Sequence, residues 1–169
     1  MRFLQASLIV MLLLAGVSCS SVSKPNRHAT RISSVKTTAY THTESDHIKF
    51  GAKTAIGTNL RYGRVRSAAT DWSVYPLGTI FQIEGQPYIY QVDDYGSALV
   101  GTNTIDLYEP TKANMKQWGA RKVNIRVLKW GSFSQSLSVM KPRTGAGAYI
   151  RRMVDRIQKV TGGRSSHSS

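Results

Sequence analysis

The sequence predicts a mainly β fold, a small closed barrel of six short strands with one short helix, followed by a C-terminal amphipathic helix. Three observations carry this. Residues 34–131 break into short β-branched and aromatic runs punctuated by glycine and proline. Only Pro110–Gly119 in that span has helical spacing. A chain of 169 residues with 41% hydrophobic content is one domain's worth, with one sizeable core.

The predicted strands are Ser34–Tyr40, Val65–Ala69, Thr79–Glu84, Tyr88–Asp93, Thr104–Tyr108 and Lys122–Trp130. In the last, Val123, Ile125 and Val127 alternate with Asn124, Arg126 and Leu128, the period of a half-buried strand. Glu84-Gly85-Gln86-Pro87 is a turn, and Pro87 opens the following strand, where its missing N–H is tolerated. The helix starts near Pro110, buries Ala113, Met115 and Trp118, and ends at Gly119. So many short strands with so little helix argue for closure into a barrel. Residues 132–169 form a basic extension in which Tyr149, Ile150, Met153, Val154, Ile157 and Val160 recur at helical spacing opposite Arg151, Arg152, Arg156 and Lys159. That helix either packs on the barrel with a solvated outer face or touches an anionic envelope polymer or lipid.

The N-terminus sets the compartment. Arg2, the apolar run Leu8–Leu14 and the small residues Ala15-Gly16-Val17-Ser18 make a secretory signal over residues 1–18, too short to span a bilayer. A buried N-terminal helix would leave that run with nothing to pack it. Cys19, the sole cysteine, directly follows the small residues, as in a bacterial lipoprotein lipobox, although Gly16 stands where Leu is usual. Lipidation at Cys19 is expected, with plain cleavage after Ser18 as the alternative. Residues 19–33 are a polar linker, and the barrel domain spans 34–131. The expected location is the cell envelope, as a membrane-anchored lipoprotein on the periplasmic face or at the outer membrane.

With 23 Lys and Arg against 9 Asp and Glu, the net charge is +14, which suits an anionic partner. Export argues against nucleic acid. A lone cysteine excludes an internal disulfide, and four scattered histidines offer no zinc spacing. His42 and His47, near Glu44 and Asp46, read either as a metal or acid/base cluster or as a solvated polar loop.

In so basic a chain the few acids are informative. Asp94 follows a strand, with Gly96 expected to let the backbone turn sharply or approach a ligand. Asp106 lies between Ile105 and Leu107, so in a strand its side chain opposes both apolar neighbours. A carboxyl near apolar surface and near another carboxyl is pushed toward its protonated form, which suits glycosidic cleavage. The competing readings are turn residues for Asp71 and Asp93 and an ion pair for Asp106. Tyr40, Trp72, Tyr75, Tyr95 and Tyr108 either stack on sugar rings or pack in the core.

The run Ala69-Thr70-Asp71, Pro76-Leu77-Gly78-Thr79, then Asp94-Tyr95-Gly96-Ser97-Ala98-Leu99, Ile105-Asp106-Leu107-Tyr108 and Trp118-Gly119 resembles the 3D (three-aspartate) domain. That domain is related to membrane-bound lytic transglycosylase A and rare lipoprotein A. The resemblance spans about Val35–Trp130 and implies a double-psi β-barrel, in which Asp71, Asp94 and Asp106 are the three aspartates and Asp106 holds the place of the transglycosylase's catalytic acid. Thr54-Ala55-Ile56-Gly57 resembles a groove-lining segment. Tyr95 stands where Thr or Val is usual, and Asp93 adds an acid.

The expected function is lytic transglycosylation of peptidoglycan at the β-1,4 bond between N-acetylmuramic acid and N-acetylglucosamine. Asp106 is the single acid/base, Asp94 tunes it and Asp71 orients the pair, while Thr54, Gly57, Tyr95, Gly96 and Tyr108 contact the glycan. Such chemistry needs no cofactor and no metal. The alternative is a non-catalytic glycan-binding module, and a plain hydrolase is a third reading.

Overall fold

The computed structural model describes residues 29–45 and 48–165, with the side chains of all of these but Lys49, Arg164 and Ser165. The expected signal over residues 1–18 and the expected lipidation at Cys19, together with Asp46 and His47, lie outside the described residues. The strands are β1 (Thr30–Tyr40), β2 (Val65–Ala69), β3 (Ile80–Ile83), β4 (Ile89–Asp94), β5 (Thr104–Tyr108) and β6 (Arg121–Lys129). They close into a barrel in the order β1-β5-β2-β4-β3-β6. The pairs β1/β5 and β2/β4 are parallel and the other pairings are antiparallel. This crossed order, with two parallel pairs reached by long connections, is that of a double-psi barrel.

Strand alternation places the core. Ile105 and Leu107 of β5, Ile125 and Val127 of β6, Phe81 of β3 and Tyr90 of β4 all point inward and are almost fully buried. Phe81 and Tyr90 stack across β3 and β4 with ring centroids 5.3 Å apart. β1 starts four residues earlier than its composition suggests: Thr30, Arg31 and Ile32 pair with Val127, Arg126 and Ile125. Thr30 and Arg31 are exposed and held by backbone pairing and the Arg31–Glu84 ion pair, and only Ile32 packs, partly buried, against the core, which is why this stretch reads as linker.

Helix α1 (Lys112–Trp118) is capped by Thr111 and stops at Gly119, whose φ of 62° needs glycine. Ala113 is exposed, and Met115 and Trp118 are only half-buried, so the helix packs against β1, where the Trp118 indole donates to the Thr37 hydroxyl, more loosely than predicted. Helix α2 (Phe133–Met140) has no predicted counterpart. Its Ser-rich sequence hides an apolar face, and Ser136 is buried because its hydroxyl accepts from the Leu77 amide and donates to the Ser132 carbonyl. Helix α3 (Ala148–Ser165) adds Ile150, Met153, Val154 and Ile157 to the barrel core. Each fully buried side chain of this kind is worth about 2 kcal/mol. Val160 is 49% exposed, because the helix has run past the barrel by then. Arg156 leaves the expected solvated face and pairs with Asp71 at 3.1 Å. Among the described residues no helix is long and apolar enough to cross a membrane.

Candidate active site

Register brings two of the three aspartates together. Ala69 of β2 lies opposite Asp94 of β4 on one side and Asp106 of β5 on the other, so a single alanine separates the two strands that carry them. Both aspartates line one open groove of about 220 Å³, together with Thr38, Tyr40, Glu44 and Gly96. An irregular step between Ala68 and Ala69 in the β2/β4 register passes over Asp93 and puts Asp94 opposite Ala69.

Asp94 is 6% exposed and accepts three hydrogen bonds: from the Tyr40 hydroxyl at 3.1 Å, the Ala55 amide at 3.1 Å and the Tyr95 amide at 2.9 Å. Burial pushes its carboxyl up to about 6, against the pull of these donors and with some help from the neighbouring charge of Asp93. The Tyr40 hydroxyl is itself held well above its ordinary range, by burial first and then by the Asp94 charge, so it stays a donor. Asp106 is half-buried and accepts from the Thr38 hydroxyl at 2.7 Å across the β1/β5 pair, where the two residues face each other in register.

Asp71 is elsewhere. Its buried carboxylate accepts from the Ser73 amide and hydroxyl, the Gly101 amide and Arg156, and it does not line the groove. It acts on the site at one remove. The turn it anchors aims the Thr70 amide (3.1 Å) and the Trp72 indole N–H (2.8 Å) at the Asp94 carbonyl, which fixes where that residue sits. Asp93 faces away from the groove and is bound by Arg61 and Ser67, each at 2.8 Å; burial raises its carboxyl and these partners oppose the rise.

Thr54 and Gly57 belong to a tight turn, with φ of +80° at Gly57 and its amide bonded to the Thr54 carbonyl. This turn aims the Ala55 amide at Asp94. Thr54, Gly57 and Tyr95 line a second cavity of about 450 Å³ that shares Asp94 and Tyr95 with the first groove. Gly96 lines the groove but is ordinary extended backbone with φ of −133°, and a Cβ there meets only the Leu99 side chain at 3.4 Å. A 3₁₀ turn does begin at Gly96, whose carbonyl accepts from the Leu99 amide at 3.1 Å, but it does not use a conformation that needs glycine. The positive φ of this loop lies at Asn103 and Gly101 instead. Tyr108 is buried beneath the rim, packed on Tyr40 and bonded through its hydroxyl to His42 Nδ1 at 2.8 Å, rather than lining the groove. His42 is thus a packed partner of Tyr108. Among the described residues no group of three or more His, Cys, Asp or Glu could hold a metal ion.

Thr38 of the groove and Arg143 of the second cavity escape the sequence reading, and Glu44 reads there only as part of a polar loop or acid/base cluster with His42. Thr38 follows from the alternation of β1 once its partner strand is known. Glu44 accepts from the Thr41 amide at 3.0 Å, and the spacing Thr41-His42-Thr43-Glu44 is a capping-box signature that points to this bond. Arg143 reaches the second cavity from the 3₁₀ turn Lys141–Ala146, and no local signal announces it.

Residues 66–129 match the family model of the 3D domain. YabE of Bacillus subtilis (strain 168), named for cell wall shaping, is 35% identical over 115 residues, covering 68% of this chain and 27% of its own length. YocH of the same strain, a cell wall-binding protein, is 32% identical over 104 residues, covering 61% of this chain and 34% of its own length. This chain therefore spans about a quarter to a third of these relatives. The crystal structure of MltA from E. coli is similar at 25% identity, covering 47% of this chain and 28% of that one, with a TM-score of 0.38. With the family match lying on the strands that carry Asp94 and Asp106, the chain carries a 3D domain built as a double-psi β-barrel.

Proposed function

We propose that this protein acts on peptidoglycan outside the cytoplasm, as an exported chain anchored through Cys19, and cleaves the glycan by lytic transglycosylation. The observation that supports the reading is the pair Asp94 and Asp106 in one open groove, where burial raises the Asp94 carboxyl to about 6. Asp106, the less buried of the two, protonates the departing glycosidic oxygen between N-acetylmuramic acid and N-acetylglucosamine. As a carboxylate it then takes the proton of the muramoyl 6-hydroxyl, whose oxygen closes on C1 to give the 1,6-anhydro product. The nucleophile comes from the substrate, so no second carboxylate or water has to attack. Asp94, once ionised, faces the positive charge that develops at the anomeric carbon. The cell-wall names of the two relatives agree with the substrate class.

The second reading is a glycan-binding module without chemistry, favoured by the net charge of +14 and by the binding role in the name of YocH. Incubation with purified sacculi separates the two. Transglycosylation releases 1,6-anhydro muropeptides detectable by mass spectrometry, and Asp106→Asn lowers their release by roughly 10²- to 10⁴-fold while sacculus binding persists. Binding by the parent without anhydro product selects the module, and unchanged release by Asp106→Asn rejects the assignment of Asp106.

A further inference from the structure

The second cavity is built jointly by the barrel and the C-terminal segment. Lys53, Thr54 and Ala55 come from the loop before β2, Asp94 and Tyr95 from the end of β4, and Arg143 and Tyr149 from the extension. Arg143 Nη1 donates to the Ala55 carbonyl at 2.6 Å and to the Tyr95 hydroxyl at 3.4 Å. Ala55 in turn donates its amide to Asp94 Oδ1. Two hydrogen bonds and three covalent bonds thus join the guanidinium to the groove acid, a path that keeps them within about 10 Å. Both bonds leave Arg143 from the same nitrogen, so the rest of its planar fork is available for a bidentate anion. Lys53 on the same rim, bonded to Asn59 at 2.6 Å, adds a second positive charge. Phe50, 57% exposed, and Tyr149 supply apolar and aromatic wall.

A cavity next to a glycan-cleaving groove, walled by aromatic rings and carrying two cations, fits a short anionic peptide and not a bare sugar. We infer that this cavity binds the carboxylate-bearing peptide stem attached to the muramoyl residue, with Arg143 as the residue that recognises it. The inference rests on the peptidoglycan reading above and names the part of the substrate this chain selects. It gives the basic extension a place in recognition that neither diffuse attraction to the envelope nor packing alone provides. The cations Arg151, Arg152, Arg156 and Lys159 of α3 do not line this cavity, so the selectivity is local to Arg143 and Lys53.

The test uses two soluble peptidoglycan fragments: a tetrasaccharide bearing its peptide stems, and the same fragment after carbodiimide coupling to methylamine, which turns every carboxylate into a neutral amide of similar shape. Binding is read by calorimetry on the full-length protein. The parent is expected to prefer the native fragment by about tenfold or more, the size of one charge-assisted pair. Arg143→Gln removes most of that preference by weakening native binding only, Lys53→Gln removes part of it, and Arg143→Lys restores part by returning the charge without the fork. Equal affinity of the parent for both fragments overturns the stem assignment while leaving the glycan reading intact. Arg143→Gln weakening both fragments alike marks the residue as structural and also overturns it. Binding of neither fragment overturns both proposals. A stem preference without anhydro product overturns only the catalytic reading.

Discussion

Replacing Asp94 by Asn has an effect on stability that can be worked out from its surroundings. The folded-state carboxyl titrates near 6, against an ordinary value of 3.8. Because the folded value is the higher one, the folded chain holds the proton more tightly than the unfolded chain. The associated stability is fully present below pH 3.8 and is lost as pH rises through 6. At about 1.4 kcal/mol per unit, the ionised group costs the fold about 3 kcal/mol at pH 7.5. Asn has the same outline and no charge. The Ala55 and Tyr95 amides both bind Oδ1, so an Asn oxygen placed there keeps both bonds, while the Tyr40 hydroxyl turns to accept from the new amide. Asp94→Asn is therefore expected to match the parent near pH 4 and exceed it at pH 7.5 by up to about 3 kcal/mol, roughly 6 to 12 °C in Tm for a chain of this size. Asp93, also raised by burial, remains in the variant, so the pH slope flattens without vanishing. Thermal melts of both proteins from pH 4 to 8 read the difference. Parallel pH profiles for the two proteins would refute the reasoning, since they would mean that Asp94 pays no desolvation cost. Under the proposed chemistry the same change also reduces anhydro product, which would tie the burial cost of Asp94 to its function.

Two other substitutions probe the frame around the site. Asp71→Ala leaves the Gly101 amide, Ser73 and Arg156 without their common acceptor and is expected to cost about 3 kcal/mol in urea melts; Arg156→Ala, whose side chain is 48% exposed, costs about 1 kcal/mol or less. Gly131→Ala would drive a Cβ into the carbonyl oxygens of Pro76 and Leu77 and to 2.5 Å from the Thr79 amide nitrogen, all backbone. It should lower stability by more than about 3 kcal/mol in the same melts, or leave the protein insoluble.

Sequence periodicity is strongest where one local rule decides the outcome. Asp106 between Ile105 and Leu107 is outward by alternation alone, and β2 and β5 match their predicted bounds because their composition changes sharply at both ends. The role of Asp71 is not local: Arg156 is 85 residues away, and only the fold brings the two together. An aspartate that anchors a turn and one that faces a groove have the same letter and similar neighbours. The joint of α2 to the barrel depends on a buried Ser136, which composition scores as surface. Arg143 is likewise indistinguishable from the other cations of the extension until the Ala55 carbonyl is found within reach.

The strand β1 gives the family match an unexpected limit. Residues 66–129 hold β3, β4, β5, α1, β6 and nearly all of β2, yet the staves on either side of the missing one, β5 and β6, meet only through Thr30–Tyr40. Excised alone, that stretch would expose two raw sheet margins and lose the apolar cover of α3. The recognisable segment is thus not a self-sufficient folding unit, and a transplant into another scaffold has to carry residues 30–165 to stay upright.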